Sequence, residues 1–237
     1  MMKVTFLTLA VFLSSISIYS AREDRALSVS HSKARGVGYD VQIVNQSNVS
    51  ATAFVILSQH TSHSGGIDSI YHLTDSLYNW PMDKSLQPME SRIVRMGPSG
   101  EPGHEALAIN LLVAIFADGT SVGDPTWVDR ILKKRKQIYS DIFTTIPIID
   151  QARLQQEPTP FVKVRMEELK LRNLSSVSGS LDGGFERPAA DKIAATVILN
   201  LESKTRAGTD PKAALEQIVA LLREWKSHLQ QSKPSLD

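Results

Sequence analysis

The hydrophobic pattern of this chain changes its period once, at Asp124-Pro125. Upstream, apolar and polar residues alternate, as in Tyr39–Ile43, which is the pattern of a half-buried strand. Downstream, apolar residues recur with the spacing of an amphipathic helix, at Val128, Ile131, Leu132, Ile138 and Ile142. The change predicts an α+β protein, with an N-terminal antiparallel β-sandwich of immunoglobulin-like type followed by a C-terminal α-helical region.

The sandwich is predicted over residues 38–123, where short apolar segments are separated by turn residues. Asn45–Asn48 is a polar turn, and it predicts a hairpin between the strand before it and Ser50–Leu57. Leu77–Leu86 contains Trp80-Pro81 and is predicted to be a crossing loop. Ala106–Phe116 is the most apolar run and the clearest strand. No helix separates these strands, so their pairing should be antiparallel.

A helical region is predicted over residues 124–172. Asp124 and Pro125 suit the start of its first helix, because an Asp side chain accepts from the first free N–H groups. Pro147 should kink or end that helix, because proline lacks the N–H that continues the helical hydrogen bonds. Two further helices are then expected, over Ile148–Gln156 and Phe161–Arg172.

The end of the chain is predicted to be helical as well. Residues 173–187 are rich in Ser and Gly, which predicts a flexible linker. Residues 188–237 should form a helical hairpin interrupted at Gly208, with Asp210 capping the second helix and Pro211 at its first position. The apolar stripe of that second helix comprises Leu215, Ile218, Leu222, Trp225 and Leu229.

The N-terminus has the pattern of a secretory signal peptide. Lys3 precedes an uncharged run, Val4–Ala21, whose apolar first part is followed by small and polar residues. We predict that residues 1–21 are a signal peptide and that residues 22–37 are a flexible mature N-terminus. The alternative is an uncleaved membrane anchor, although the run is short for a segment that spans a bilayer.

Composition excludes several classes of function. The 237 residues carry a net charge of +1, so no nucleic-acid partner is expected. The sequence contains no Cys, which excludes disulfides, thiolate metal sites and a catalytic thiol. An exported chain without Cys does not depend on oxidative folding, which suits a periplasmic or extracellular bacterial protein. Residues 22–126 carry a net charge of −4 and residues 127–237 one of +4, so the two halves could attract each other.

Two short segments contain candidate metal ligands. His60 and His63 lie three residues apart in a predicted polar loop, and a metal would need at least one further ligand near them. Asp118 and Asp124 flank a Gly-containing segment whose oxygen atoms suit Ca²⁺. The competing interpretation of the Asp pair is structural: Asp118-Gly119 forms a turn and Asp124 caps the helix. No cofactor is expected.

A basic run, Lys133, Lys134, Arg135 and Lys136, lies on the first predicted helix. It is a candidate for contact with anionic lipid at a membrane surface or with an acidic partner. The commonest role of such a run is a solvated helix face.

The segment Ala114–Lys136 combines Ala114–Thr120, Gly123-Asp124 and a helix rich in Arg and Lys. It resembles a segment of uncharacterised secreted proteins of soil bacteria of acidobacterial type. The resemblance covers this segment alone. It implies a bacterial exported setting, and it implies no activity or site.

These observations predict an exported, non-catalytic interaction or structural protein of the bacterial cell envelope, whose partner is a protein or another envelope component. Such a protein would bind through loops or a sheet edge. One alternative is a hydrolase with a site between the sandwich and the helices, built from His60, His63, Asp118 and Asp124. Another alternative is a scaffold tethered to the membrane by an uncleaved N-terminus.

Overall fold

The structure is a computed structural model that describes residues 26–33, 39–61, 66–96, 106–174 and 189–231. Within these ranges the chain forms seven strands in two antiparallel sheets, together with four helices. The predicted α+β class is confirmed. Among the described residues, no helix combines the length and the apolar content that crossing a membrane requires.

The strands divide into a three-stranded and a four-stranded sheet. The first sheet has the order β1-β2-β5 and is built from β1 (Leu27–Lys33), β2 (Tyr39–Asn45) and β5 (Ser91–Met96). The second has the order β4-β3-β6-β7 and is built from β3 (Ala51–Thr61), β4 (Ile67–Asp75), β6 (Ala106–Phe116) and β7 (Ser121–Gly123). Strand β4 is therefore an edge strand.

The predicted hairpin between β2 and β3 is wrong, because the two strands belong to different sheets. Buried Asn45 determines this connection. Its amide donates to the carbonyl groups of Val49 and Leu86, at 2.9 Å in each case. Leu86 in turn pairs with Ala51 at the start of β3. The polar segment after Asn45 therefore carries the chain from one sheet to the other.

The prediction of a flexible segment over residues 22–37 is wrong for β1, which pairs along its full length with β2. The sequence does show the alternation of a strand here, since Leu27 and Val29 alternate with serines. In the structure Leu27 is buried. Residues 22–25 and 34–37 lie outside the described residues. Strand β7 was also missed, because three residues are too few to show a period.

The two sheets share one apolar core. Val41 and Ile43 from the first sheet pack with Phe54, Ile56 and residues of β6 from the second. On its other face, the second sheet packs against the first helix, where Val55, Val113 and Ile115 meet Trp127 and Ile131. The second sheet is thus covered on both faces, which explains why β6 is apolar along most of its length.

The helices are α1 (Pro125–Ala152), α2 (Pro158–Leu174), α3 (Ala189–Arg206) and α4 (Pro211–Gln231). Helix α1 continues through Pro147, so the separate helix predicted over Ile148–Gln156 is wrong. Pro147 is exposed, and the buried side chains of Ile142 and Ile149 hold the helix on either side of it. That packing outweighs the local cost of one proline, about 3 kcal/mol. Pro158 begins α2.

The prediction for α4 is confirmed. Asp210 caps it by accepting from the N–H groups of Lys212 and Ala213, and all five residues of the predicted stripe are fully buried. Trp225 also donates from its indole Nε1 to the carbonyl of Leu77, at 2.6 Å. The crossing loop after β4 is therefore fixed to the core of the helical region.

Candidate functional site

His60 lies inside strand β3 and is buried, so its placement in a polar loop is wrong. Its Nε2 is 2.6 Å from the Ser58 hydroxyl oxygen, with which it shares a hydrogen bond. It lies opposite Asp68 of β4 on one side and Ala106 of β6 on the other. His63 lies outside the described residues.

The Asp118-Gly119 turn is confirmed. Asp118 is exposed, and its Oδ1 accepts from the backbone N–H of Thr120 at 3.1 Å and from the Thr120 hydroxyl at 2.6 Å. Gly119 has a φ of 82°, which glycine adopts without steric cost. These contacts account for Asp118 as a turn residue.

The helix cap at Asp124 is also confirmed. Its Oδ1 accepts from the backbone N–H of Thr126 at 2.8 Å, and Pro125 occupies the first helical position. Its own N–H donates to the carbonyl of Leu112 at 2.9 Å, which joins the start of α1 to β6.

The strand register separates the candidate ligands. His60 is paired with Ala106 at one end of β6, whereas Asp118 follows Phe116 at the other end. At about 3.3 Å per residue, the two ends of this strand are roughly 30 Å apart. Among the described residues, no group of three His, Asp or Glu side chains is placed to hold a metal ion. A hydrolase site that combines His60 with Asp118 is therefore incompatible with this fold.

We expect the replacement Asp124→Ala to lower the free energy of unfolding by about 0.5–2 kcal/mol, because the first turn of α1 loses its capping acceptor. The matched control is Asp129→Ala, a change of the same type at an exposed position inside α1, which should stay within about 0.5 kcal/mol of wild type. Urea denaturation measures both values. If the segment were instead a calcium loop, ~5 mM Ca²⁺ would raise the melting temperature of wild type and not of Asp124→Ala.

The basic run on α1 does not form one solvated face. Arg135 is fully buried, and its guanidinium donates to Asp75 at 3.0–3.2 Å and to the Thr52 hydroxyl at 3.0 Å. The inclusion of Arg135 in a membrane-facing run is therefore corrected. Helical spacing places Lys133 and Lys136 at exposed positions and Lys134 at a half-buried one.

An open cleft of about 890 Å³ lies between the edge strand β4, the crossing loop and helices α1 and α3. Its wall is mainly apolar, and its aromatic and polar lining residues include Tyr71, Tyr78, Trp80, Asn79, Lys134 and Lys192. Clefts of this size accommodate small-molecule ligands, and a few polar groups in an apolar wall fix their orientation. This cleft is the candidate functional site.

Lys192 is the most perturbed group in the cleft. Its ammonium lies 4.3 Å from the centroid of the Tyr78 ring and donates to Oδ1 of Asn79. Burial is the largest cause and lowers the pKa of Lys192, Asp83 and Asp75 oppose this, and the charge of Lys134 lowers it by a smaller amount. The net pKa is about 8. A strongly shifted group in a cleft is a recognised sign of a functional site.

His72 lies on the β4 side of the same cleft. Burial lowers the pKa of His72, and the charge of Asp83 opposes this only in part. The imidazole is therefore neutral near pH 7, where it can accept as well as donate. Asp83 is itself held in place by the side-chain amide of Asn79, at 2.7 Å.

Of the residues singled out from the sequence, Lys134 of the basic run lines this cleft, whereas His60, Asp118 and Asp124 do not. Lys192 was missed because one lysine on a helix carries no pattern, and its position became informative only when α3 was placed beside the crossing loop. The available signal was the concentration of aromatic residues in Tyr78–Trp80, within a loop otherwise interpreted as a connection.

Comparison with models of known protein families, with curated proteins and with solved structures finds no match to this chain. The choice among functions therefore depends on the chemistry of the cleft.

Proposed function

We propose that this chain is an exported, non-catalytic interaction protein of the bacterial cell envelope, and that it binds its partner in the cleft beside β4. The observation that carries this proposal is the position of the cleft. An edge strand, a loop rich in aromatic residues and one helix face meet there around an open, partly apolar space.

The edge strand supports a binding role. Ile67, Ile70 and Tyr71 of β4 are exposed, and the outer side of β4 pairs with no described strand. A partner segment can add to such an edge through main-chain hydrogen bonds, while adjacent pockets select its side chains. Tyr71 lies both on this strand and in the wall of the cleft, so one partner can engage both.

We also propose that the sandwich is immunoglobulin-like. One sheet has the strand order β1-β2-β5 and the other β4-β3-β6-β7. In the strand letters of immunoglobulin domains, these orders correspond to A-B-E and C′-C-F-G. In such folds, binding commonly uses the loops and edges that a rigid pair of sheets presents. The cleft beside β4 is at a position of this kind.

The proposal of export depends on the signal-like pattern of residues 1–21 and on the resemblance of Ala114–Lys136 to secreted bacterial proteins. Cleavage near Ala21 leaves β1 intact, since this strand begins at Leu27. Mass spectrometry of the protein from its natural host should find an N-terminus near residue 22. An intact N-terminus in the membrane fraction would instead support the tethered scaffold.

The binding role is tested by filling the cleft. Ala195 is exposed on α3 and lines the cleft, so Ala195→Trp should obstruct it without disturbing the core. The matched control is Ala220→Trp, the same change at an exposed position of α4 that does not line the cleft. Recovery of a specific envelope component on the immobilised chain should fall at least about tenfold for Ala195→Trp, which corresponds to about 1.4 kcal/mol of binding free energy.

Melting temperatures of the two variants show whether both remain folded. A component that wild type and Ala220→Trp retain, and that Ala195→Trp loses, identifies the partner of the cleft. Equal retention by all three proteins would mean that binding occurs elsewhere and would refute the cleft proposal.

A further inference from the structure

Two lysines from different helices meet at one aromatic ring in the cleft. The ammonium of Lys192, on α3, lies 4.3 Å from the centroid of the Tyr78 ring, and that of Lys134, on α1, lies 5.6 Å from it. Cations are attracted to an aromatic face, but two cations at one ring also repel each other. For Lys192, burial favours loss of the proton, and the charge of Lys134 acts in the same direction.

The other charged and titratable groups around Lys192 come from every neighbouring element. Asp75 and Asp83 act from the end of β4 and the crossing loop and favour the ammonium form, whereas burial and Lys134 disfavour it. His72 lines the cleft from β4 and Asp191 precedes Lys192 on α3. Burial dominates, so that the pKa of Lys192 falls to about 8, compared with 10.5 for an ordinary lysine. At pH 7.5 roughly a quarter of Lys192 is then the neutral amine, against roughly 0.1% of an ordinary lysine.

We propose that Lys192 forms a reversible imine with an aromatic aldehyde or ketone that carries a carboxylate and binds in this cleft. This inference rests on the proposed binding role of the cleft, and it adds the chemical class of the ligand. A desolvated lysine beside a second cation is a recognised arrangement for an amine that attacks carbonyl carbon.

The reaction needs no partner beyond the amine and the carbonyl compound. The Lys192 nitrogen forms a bond to the carbonyl carbon, and the amine transfers its two protons to the carbonyl oxygen. That oxygen leaves as water, and a C=N bond replaces the C=O bond. Nothing is oxidised or reduced, and addition of water reverses the step.

The wall of the cleft indicates the rest of the ligand. Tyr71 and Trp80 line the cleft with aromatic side chains that a planar ring can contact in offset or edge-to-face geometry, whereas the Tyr78 ring carries the two ammonium groups. Lys134 is suited to pair with a carboxylate, because it lies near the same Tyr78 ring as Lys192. A ring bearing an anion on one side and a carbonyl on the other would place each group against one of the two lysines.

The experiment uses 4-carboxybenzaldehyde as the probe, at pH 7.5, with cyanoborohydride to reduce each imine to a stable secondary amine. Peptide mapping by mass spectrometry then gives a rate for each lysine. Lys226 is the internal comparator, because its ammonium also lies over aromatic rings, 5.3 Å from that of Tyr139 and 4.9 Å from that of Phe143. We expect Lys192 to be modified at least about tenfold faster than Lys226.

Benzaldehyde, which lacks the carboxylate, tests the role of Lys134. The rate at Lys192 with each of the two aldehydes is divided by the rate of the same aldehyde with free Nα-acetyl-lysine, which corrects for their different intrinsic reactivity. The normalised preference for the carboxylated probe should be at least about fivefold in wild type, since an ion pair with Lys134 would hold that probe beside Lys192. It should be lost in Lys134→Met and retained in Lys133→Met, a change at an exposed position one residue earlier.

Equal modification of Lys192 and Lys226 would overturn the inference of a reactive amine. A preference that persists in Lys134→Met would overturn the assignment of the carboxylate. The aldehyde experiments do not use the partner that the Ala195→Trp experiment recovers. The lysine chemistry can therefore fail while the cleft still binds a partner, and the two outcomes can be distinguished.

Discussion

Replacing Asp75 by Asn should lower the free energy of unfolding by about 3–5 kcal/mol, because it leaves the buried Arg135 guanidinium without its counter-charge. Both side chains of this pair are 2% exposed, and the guanidinium approaches the carboxylate at 3.0–3.2 Å from two of its nitrogens. Asp75 Oδ1 also accepts from the N–H groups of Leu77 and Tyr78, at 3.0 and 3.1 Å. The pair therefore joins the second sheet, the crossing loop and α1 at one point.

The matched control is Asp40→Asn, which breaks the exposed pair between Asp40 and Arg95. There the side chains are 33% and 66% exposed, and the expected loss is below about 1 kcal/mol. Urea denaturation monitored by tryptophan fluorescence and by circular dichroism measures each value. In the double variant Asp75→Asn/Arg135→Met, most of the loss should be recovered, because no buried charge remains. A loss for Asp75→Asn no larger than that for Asp40→Asn would contradict this account.

The sequence could not identify Arg135 as the buried member of its basic run. Helical spacing alone placed Ile131, Arg135, Ile138 and Ile142 on one face, but a charged residue on such a face is usually exposed. Its counter-charge lies 60 residues away, and it became apparent only when β4 was placed against α1. The spacing therefore gave the face on which Arg135 lies, but nothing near Arg135 in the sequence identified Asp75 as its partner.

Features determined by neighbouring residues were predictable from the sequence. The caps at Asp124 and Asp210 and the turn at Asp118-Gly119 depend on contacts within a few residues, and the stripe of α4 shows in the spacing of its apolar residues. All are confirmed. The partner of each strand was not predictable in the same way. The polar segment after Asn45 looks like a hairpin turn, yet Asn45 bonds to Leu86, 41 residues away.

The candidate site depends even more on residues that are distant in the sequence. Its wall combines β4, the crossing loop, α1 and α3, so the contributing residues extend from Tyr71 to Asn200. No short motif contains them, and the pKa of Lys192 is lowered mainly by its burial where α3 packs beside the crossing loop. A search of the sequence for clustered His and Asp residues led instead to His60, Asp118 and Asp124, which lie in a strand, a turn and a helix cap, and to His63, which lies outside the described residues.

Gly123→Ala should lower the free energy of unfolding by about 3 kcal/mol or more. The alanine would be strained at the positive φ of this position, and its Cβ would collide with the backbone of Leu112. Gly123 has a φ of 101°, and a Cβ atom added there would lie 2.1 Å from the carbonyl oxygen of Leu112. Gly208 offers a matched comparison, because it has a φ of 89° but no atom within 4 Å of an added Cβ. Gly208→Ala should therefore cost only the backbone strain, about 1–2 kcal/mol.

The difference between the two glycine variants isolates the effect of the close approach at Gly123. The carbonyl that an alanine would displace accepts from the N–H of Asp124, so relief of the collision must also disturb the residue that caps α1. Urea denaturation gives both free energies, and hydrogen exchange at Thr126 should become faster in Gly123→Ala alone. Equal losses for Gly123→Ala and Gly208→Ala would show that strain alone explains the glycine at position 123, and that the approach to Leu112 is readily relaxed. The larger loss would instead identify Gly123 as the residue that allows the last strand to pass directly into the first helix.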